Sequence, residues 1–451
     1  MDTRSEATLM HNLEMRRPLS VGPEPLHLRP GTRRLNLAAG LTTFPEEILE
    51  LSDSLEVLDL SNNALTTLPD SFAQLRNLRV AFFSNNAFEV LPEVLAHCPK
   101  LSMIGFKANQ ITTVPAGALS QATRWLILTD NRIESLPESI GQLNRLQKLM
   151  LAGNQLRALP KSLANCQNLE LVRLAANQLE ALPPQLLTLP RLSWLAYAGN
   201  PLCQGWGSEP LPLPQIPWDD LTVGDVLGEG ASGVISRGTW RQGQDEMPVA
   251  LKLFKGAITS DGLPEDEMRA CLAAGAHPNL VAPLGQIVAH PEQNHGLVLP
   301  LVDPSYQVMG GPPSLESCTR DTYPPEATFS LEAAIGIAVG VAAAAAHLHR
   351  RGILHGDLYP HNTLVTEAGD ARLSDFGAAS FYDRAGQAAL ALERLEVRAF
   401  GCLLEDLLDR CPASSETALR LRQLQFACMQ PEVLARPAFE DVLDELVALA
   451  A

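Results

Sequence analysis

The chain has 451 residues, 46% of them apolar, and a formal charge of −17; single cores rarely grow to that length, so two or more domains are expected. Residues 1–217 hold 18 Lys+Arg against 19 Asp+Glu, which leaves 16 against 32 for the remainder. A field of that sign repels phosphate backbones and anionic lipid, so no nucleic acid is expected as a partner, and its consequence is solubility or a preference for basic polypeptides.

The opening residues, MDTRSEATLMHNLEMRR, are too polar for the apolar region of a signal peptide, and 1–30 are taken as an amino-terminal segment. From Leu35 onward the pattern L-x-L-x-x-N-x-L recurs, with its asparagine at Asn63, Asn86, Asn109, Asn131, Asn154, Asn177 and Asn200. The interval is 22 or 23 residues throughout, and Gly40 holds the same place in a degenerate first copy, LNLAAGLTTFP. Each copy offers one short strand whose alternate leucines face inward, and the asparagine side chain can satisfy backbone groups at the turn. Eight stacked copies at ~4.8 Å per strand would give a concave sheet on the order of 35 to 40 Å long. A helical bundle would need apolar residues at 3.6 spacing, which the fixed register contradicts.

These copies resemble the leucine-rich repeat family, in its 23-residue form with Leu-Pro after the asparagine, across residues 31–204. Function in such a solenoid sits on strand positions between the buried leucines, here Val80, Phe82, Met103, Trp125, Ile127, Lys148, Met150, Arg173 and Trp194. Of these, Phe82, Met103, Trp125, Met150 and Trp194 are expected to form an exposed apolar patch that docks a protein partner or substrate. Residues 205–217, with Pro210, Pro212, Pro214 and Pro217, read as a semi-rigid extended linker, and Trp218 is expected to pack onto the domain that follows.

In that second domain, 218–451, Gly228, Gly230 and Gly233 form G-x-G-x-x-G before Val234. Glycines there let backbone approach phosphate oxygens, a device of several folds. A dinucleotide fold would need a helix next, but strand-like residues follow Val234 and VALKLF follows at Val249–Phe254. That order, with Lys252 in V-A-L-K, resembles the amino-terminal lobe of protein kinases, where the lysine holds the α- and β-phosphates. The resemblance implies Glu267 as the helix partner of Lys252, with Glu265 and Asp266 as substitutes. It implies a gatekeeper at Leu299 and a hinge over Pro300–Val302. ILHGDLYPHNTLV matches the catalytic loop, with His355, Asp357 as proton acceptor and Asn362 on Mg²⁺; LSDFGAAS supplies Asp375, also on the metal. The implied ATP-binding residues are Leu227, Gly228, Gly230, Gly233, Val234, Ala250, Lys252, Leu299, Leu301 and Leu364. Lys252 and Lys255 are the only lysines after residue 161, so phosphate has few other point charges to meet.

The family pattern is broken at four places. Gly356 replaces the arginine before Asp357, Tyr359 replaces a lysine two residues after it, and A-P-E is absent, with a helix at LEVRAFGCLLEDLL beginning about 18 residues after the Asp-Phe-Gly and Glu396 in place of an aspartate. These departures also resemble aminoglycoside and other small-molecule kinases, while Arg436-Pro437 resembles the closing R-P of protein kinases. A third reading is an ATP-binding pseudokinase scaffold. Residues 303–328, rich in Pro and Gly, are expected to cover the acceptor side of the cleft. The apolar run Ala333–Ala346 has 14 residues, fewer than the ~20 a membrane span needs, and reads as a buried helix ending in cations. Eight scattered cysteines without C-x-x-C suggest a reducing compartment, and no span or signal suggests a cytoplasmic location. The chain as a whole resembles a bacterial leucine-rich-repeat protein kinase: an α/β solenoid over about Leu35–Leu202, then a two-lobed α+β kinase-like domain using ATP and Mg²⁺ on Ser/Thr acceptors.

Overall fold

The computed structural model describes residues 28–205, 214–229, 232–255, 258–259, 261–412 and 414–450. They fall into two compact units, 28–191 with 200–202, and 192–199 with 203–450.

The first unit repeats one short strand: β1 (Arg34–Asn36), β2 (Val57–Asp59), β3 (Val80–Phe82), β4 (Met103–Gly105), β5 (Trp125–Ile127), β6 (Lys148–Met150) and β7 (Leu171–Arg173). All pair in parallel, each residue opposite its equivalent in the next copy. The middle residues Leu58, Ala81, Ile104, Leu126, Leu149 and Val172 are buried, because every second side chain of a strand turns to the same side. The asparagines do what their spacing suggests. Asn63 Nδ2 donates to Leu37 O at 2.8 Å while its Oδ1 accepts from Leu41 N at 3.0 Å, and Asn177 and Asn200 repeat the arrangement. Each side chain thereby joins two copies and satisfies backbone groups that a buried turn would otherwise strand. The prolines of the Leu-Pro pairs (Pro69, Pro92, Pro137, Pro160), and Pro45 after Phe44 in the first copy, each precede a 3₁₀ turn, where the missing N–H costs nothing. Phe72, Phe83, Phe88 and Phe106 fill the interior with ring contacts of 4.8–6.1 Å.

The expected exposed patch is not exposed: Phe82, Met103, Trp125, Met150 and Trp194 are all buried, none above 4%. The in-register ladders supply part of the cover. A Cβ on Gly105 would lie 2.5 Å from the Phe82 ring, so Phe82 lies across its neighbour, and Lys148 Nζ sits 4.2 Å from the Trp125 ring centre. At ~4.8 Å strand spacing, long side chains shield one another.

In the second unit, β10 (Leu221–Glu229), β11 (Gly233–Gln242), β12 (Asp245–Phe254), β13 (Gly285–Val288) and β14 (Gly296–Pro300) form a sheet in the order β10-β11-β12-β14-β13, extended by β9 (Gln215–Pro217), which pairs in parallel with β13. The last three linker residues are therefore a strand, and 206–213 lie outside the described residues. Trp218 packs edge-on against His290 and against the cluster of Ile216, Val249 and Val298. Helix α1 (Pro264–Ala274) crosses to the second lobe, which is built on α2 (Leu331–Arg350), α3 (Ala389–Asp409), α4 (Glu416–Cys428) and α5 (Phe439–Ala450). Ser330 Oγ accepts from Ala333 N–H and starts α2; its run of alanines lets α3, α5 and the strand Ala371–Leu373 approach closely. With 20 residues α2 is long and apolar enough to cross a membrane, but it is mostly buried among these elements. Helix α3 begins at Ala389, earlier than the LEVRAF of the sequence reading, because the preceding ALALER has strong helix propensity.

Candidate active site

Strand β12 carries Ala250 and Lys252 on one face, two residues apart, and pairs Ala250 with Leu299 of β14 and Lys252 with Ile235 of β11. Lys252 forms a buried ion pair with Glu267 of α1. The structure thus selects Glu267 over Glu265 and Asp266. Burial pushes the Lys252 ammonium down, but the charges of Glu267 and Asp375 outweigh it and hold the lysine above its usual range, fully cationic. Gly228 and Gly233 bracket the glycine turn at the ends of β10 and β11; Gly230 lies outside the described residues. A Cβ on Gly233 would stand 2.4 Å from Leu253 O, so glycine is required there. Leu227 and Val234 lie on β10 and β11, Leu301 follows β14, and Leu364 is buried on Thr363–Val365.

The catalytic loop and the Asp-Phe-Gly turn are tied together. Asn362 Nδ2 donates to Asp357 Oδ2 at 2.7 Å and to Asp357 O at 3.0 Å. Asn362 O accepts from both Ser374 N and Ser374 Oγ at 2.9 Å, next to Asp375. Asp375 has φ +62°, a left-handed backbone that non-glycine residues rarely adopt, and its Oδ1 accepts from Gly377 N at 3.1 Å. His355 is fully buried with Nε2 3.1 Å from Ser374 O and its ring beside Phe376. Asp357, Asn362, Asp375 and the Lys252–Glu267 pair are therefore brought into one region. Asp375 and Asn362 together offer a carboxylate and an amide carbonyl, hard oxygen donors of the kind Mg²⁺ takes alongside phosphate oxygens.

Three further residues support the site. Glu396 of α3 accepts from Gly356 N at 2.7 Å with Oε1 and from His349 Nε2 at 2.7 Å with Oε2. Burial pushes this carboxyl up, but the hydrogen bond and charge of His349, with His355 and the Gly356 amide, outweigh it and hold it below the usual range. Asp321 anchors the catalytic loop from the 303–328 segment, accepting from His361 N at 2.7 Å and pairing with His361 Nδ1 at 2.8 Å. That segment is ordered: Gln307–Val308 pair with Leu364–Val365, and Arg320 bonds to Glu405 and Asp406 of α3. Buried Arg436 donates to the carbonyls of Gln430 and Arg394 at 2.8 and 3.0 Å, tying the carboxyl-terminal R-P to α3. Glu396 had a signal in sequence as the family's aspartate with one more methylene, and Arg436 as part of the R-P pair; Asp321 had none.

A buried Lys–Glu pair on a six-strand lobe, facing a loop aspartate, an asparagine and a second aspartate on a helical lobe, defines a protein kinase domain. Residues 221–398 match the family described as protein tyrosine and serine/threonine kinase, and residues 53–111 and 121–179 match the leucine rich repeat family. The chain therefore carries leucine-rich repeats followed by a protein kinase domain. It is 26% identical over 249 residues to the probable serine/threonine-protein kinase gdt2 of Dictyostelium discoideum, covering 50% of this chain and 14% of that protein. It is 26% identical over 253 residues to the calmodulin-binding receptor kinase CaMRLK of Arabidopsis thaliana, covering 51% of this chain and 37% of that one. Fibroblast growth factor receptor 1 of Xenopus laevis is 27% identical over 204 residues, 41% of this chain and 24% of the receptor. The chain thus spans well under half the length of these relatives.

Proposed function

We propose that the chain is an ATP- and Mg²⁺-dependent protein kinase of the bacterial leucine-rich-repeat kind, acting on Ser/Thr and working in the cytoplasm. The observation that carries this reading is the single region holding the Lys252–Glu267 pair, Asp375, Asn362 and Asp357. Phosphoryl transfer asks for positioning and for neutralisation of spread negative charge more than for covalent chemistry. Lys252, aimed by Glu267, would hold the nucleotide's phosphates, and Asn362 and Asp375 would hold Mg²⁺, which would supply neutralisation of phosphate charge. Asp357 takes the proton of the attacking hydroxyl, while Asn362 Nδ2 orients the carboxylate. The glycine turn and the faces of Leu227, Val234, Ala250, Leu299, Leu301 and Leu364 enclose the nucleotide. The 303–328 segment, joined to the catalytic loop through Asp321, borders the acceptor side.

The repeats dock a protein partner or substrate. The expected ladder of Phe82, Met103, Trp125 and Met150 is buried and offers such a partner no exposed surface. The short stretch between Gly377 and α3 is the observation favouring a small-molecule acceptor instead. Incubating wild type and Asp357→Asn with labelled ATP and Mg²⁺ and mapping the label by mass spectrometry separates the readings. Label on Ser/Thr in the wild type alone supports the protein kinase, label on small molecules the alternative, and magnesium-dependent ATP binding without transfer a pseudokinase scaffold.

A further inference from the structure

Two departures from the kinase pattern, Gly356 and Tyr359, flank the base Asp357, and both meet the same short strand, β8 (Trp194–Ala196). This strand carries the eighth copy of the repeat motif yet belongs to the compact unit that holds the kinase domain. The Trp194 indole stacks on Tyr359 with ring centres 4.2 Å apart and planes 8° from parallel. Its Nε1–H donates to Leu358 O at 3.1 Å, and Trp194 is 2% exposed. One residue on, Leu195 O approaches Gly356 so closely that a Cβ there would lie 2.8 Å away, with Ala378 O at 2.5 Å on the other side. Gly356 also has φ +72°. Tyr197 N then donates to Ser380 Oγ at 2.9 Å, fixing the strand to the residues after the Asp-Phe-Gly.

The chemistry of the four partners is complementary. A lysine at 359 could not present a flat face to an indole, and an arginine at 356 could not enter the space between two carbonyls. Tyr359 in turn passes the constraint on: its carbonyl accepts from Asn362 N at 3.1 Å and from Thr363 Oγ1 at 2.9 Å, and Asn362 holds Asp357. Glu396 secures Gly356 from α3.

We propose that β8 is a working part of the phosphotransfer unit, with Trp194 a positioning residue that fixes the catalytic loop around Asp357 by stacking on Tyr359 and bonding to Leu358. The proposal rests on the kinase reading for its effect on rate, and it moves the amino-terminal edge of the functional kinase unit back to residue 192. A fragment beginning at the proline-rich linker lacks the strand that fixes its own catalytic loop.

The test uses the full chain with Trp194→Ala and Trp194→Phe, read by hydrogen exchange over peptides spanning 354–363 and by steady-state kinetics. Trp194→Ala, losing both stack and hydrogen bond, raises exchange in 354–363 about tenfold or more, and Trp194→Phe, keeping a stacked ring, raises it less. The rise is confined to the catalytic loop and 378–381; kcat falls in the same order while the KM for ATP stays within about twofold. Should Trp194→Ala fail to fold, the phenylalanine variant decides by the same pattern. Unchanged exchange in 354–363, or a rise spread evenly over the kinase domain in the folded variants, overturns the proposal. A wild type that transfers no phosphate overturns the kinase reading and leaves the exchange result to stand or fall on its own.

Discussion

Replacing Gly356 by alanine separates two costs that the structure places at one residue. The first is dihedral: at φ +72° a Cβ is strained by about 1 to 2 kcal/mol. The second is steric, since that Cβ would meet Ala378 O at 2.5 Å and Leu195 O at 2.8 Å, both backbone atoms that cannot swing aside. Overpacking of this kind costs about 1 to 3 kcal/mol. Gly243 provides the control: its φ is +69°, but a Cβ there meets nothing within 4 Å, so Gly243→Ala carries the dihedral cost alone. Gly356→Ala is expected to lower stability by about 2 to 5 kcal/mol, on the order of 10 °C in Tm for a unit of this size. Gly243→Ala should lower it by about 1 to 2 kcal/mol. The assay is paired thermal and urea melts of the full chain. Gly356→Arg, which restores the residue most protein kinases carry, is expected to be worse than Gly356→Ala and not better. Equal melting of Gly356→Ala and Gly243→Ala would refute the steric reasoning, and a stable, more active Gly356→Arg would refute the account of why this position departs from its family.

Lys252→Met strands the buried Glu267 carboxylate and is expected to cost about 3 kcal/mol or more, whereas Lys252→Met with Glu267→Gln recovers much of that; additive effects in a double-mutant cycle would contradict the pairing. Glu396→Gln leaves at least one of the Gly356 and His349 donors poorly met and is expected to cost about 1 to 3 kcal/mol near pH 7, read by urea melts. Because the folded pKa of Glu396 lies below its unfolded value, its contribution is whole above about pH 4.3 and is lost as pH falls through the folded pKa, so Glu396→Gln should show a shallower acid slope of stability than wild type. Asp321→Ala frees His361 and should open residues 303–328 to limited proteolysis; an unchanged cleavage pattern would separate that segment from the catalytic loop.

What was legible in the sequence is what a single spacing rule dictates. The asparagine interval fixed both the strand register and the hydrogen bonds of the turns, since each asparagine must reach the carbonyl of the copy before it. Lys252, Asp357, Asn362 and Asp375 were legible as a set because the kinase resemblance fixes a residue type at each set distance along the chain, and the structure brings them into one region. Glu267 was legible only as one of three adjacent acids, and the helix phase chose among them. Exposure was misread because alternation says which side chains share a face and says nothing of what lies over it. Trp194 and Trp125 illustrate this: both sit at the expected strand position, and one ends stacked on Tyr359 while the other ends under Lys148. The Asp321–His361 and Trp194–Tyr359 contacts join residues 40 and 165 positions apart with no repeat or motif between them. Yet the sequence did mark where to look. Gly356 and Tyr359 were legible as breaks in a family pattern, and both breaks fall where another part of the chain presses on the catalytic loop. A departure from a motif is thus a local record of a distant contact: the loop keeps Asp357 and Asn362, which the chemistry requires, and gives up the two positions through which β8 holds it.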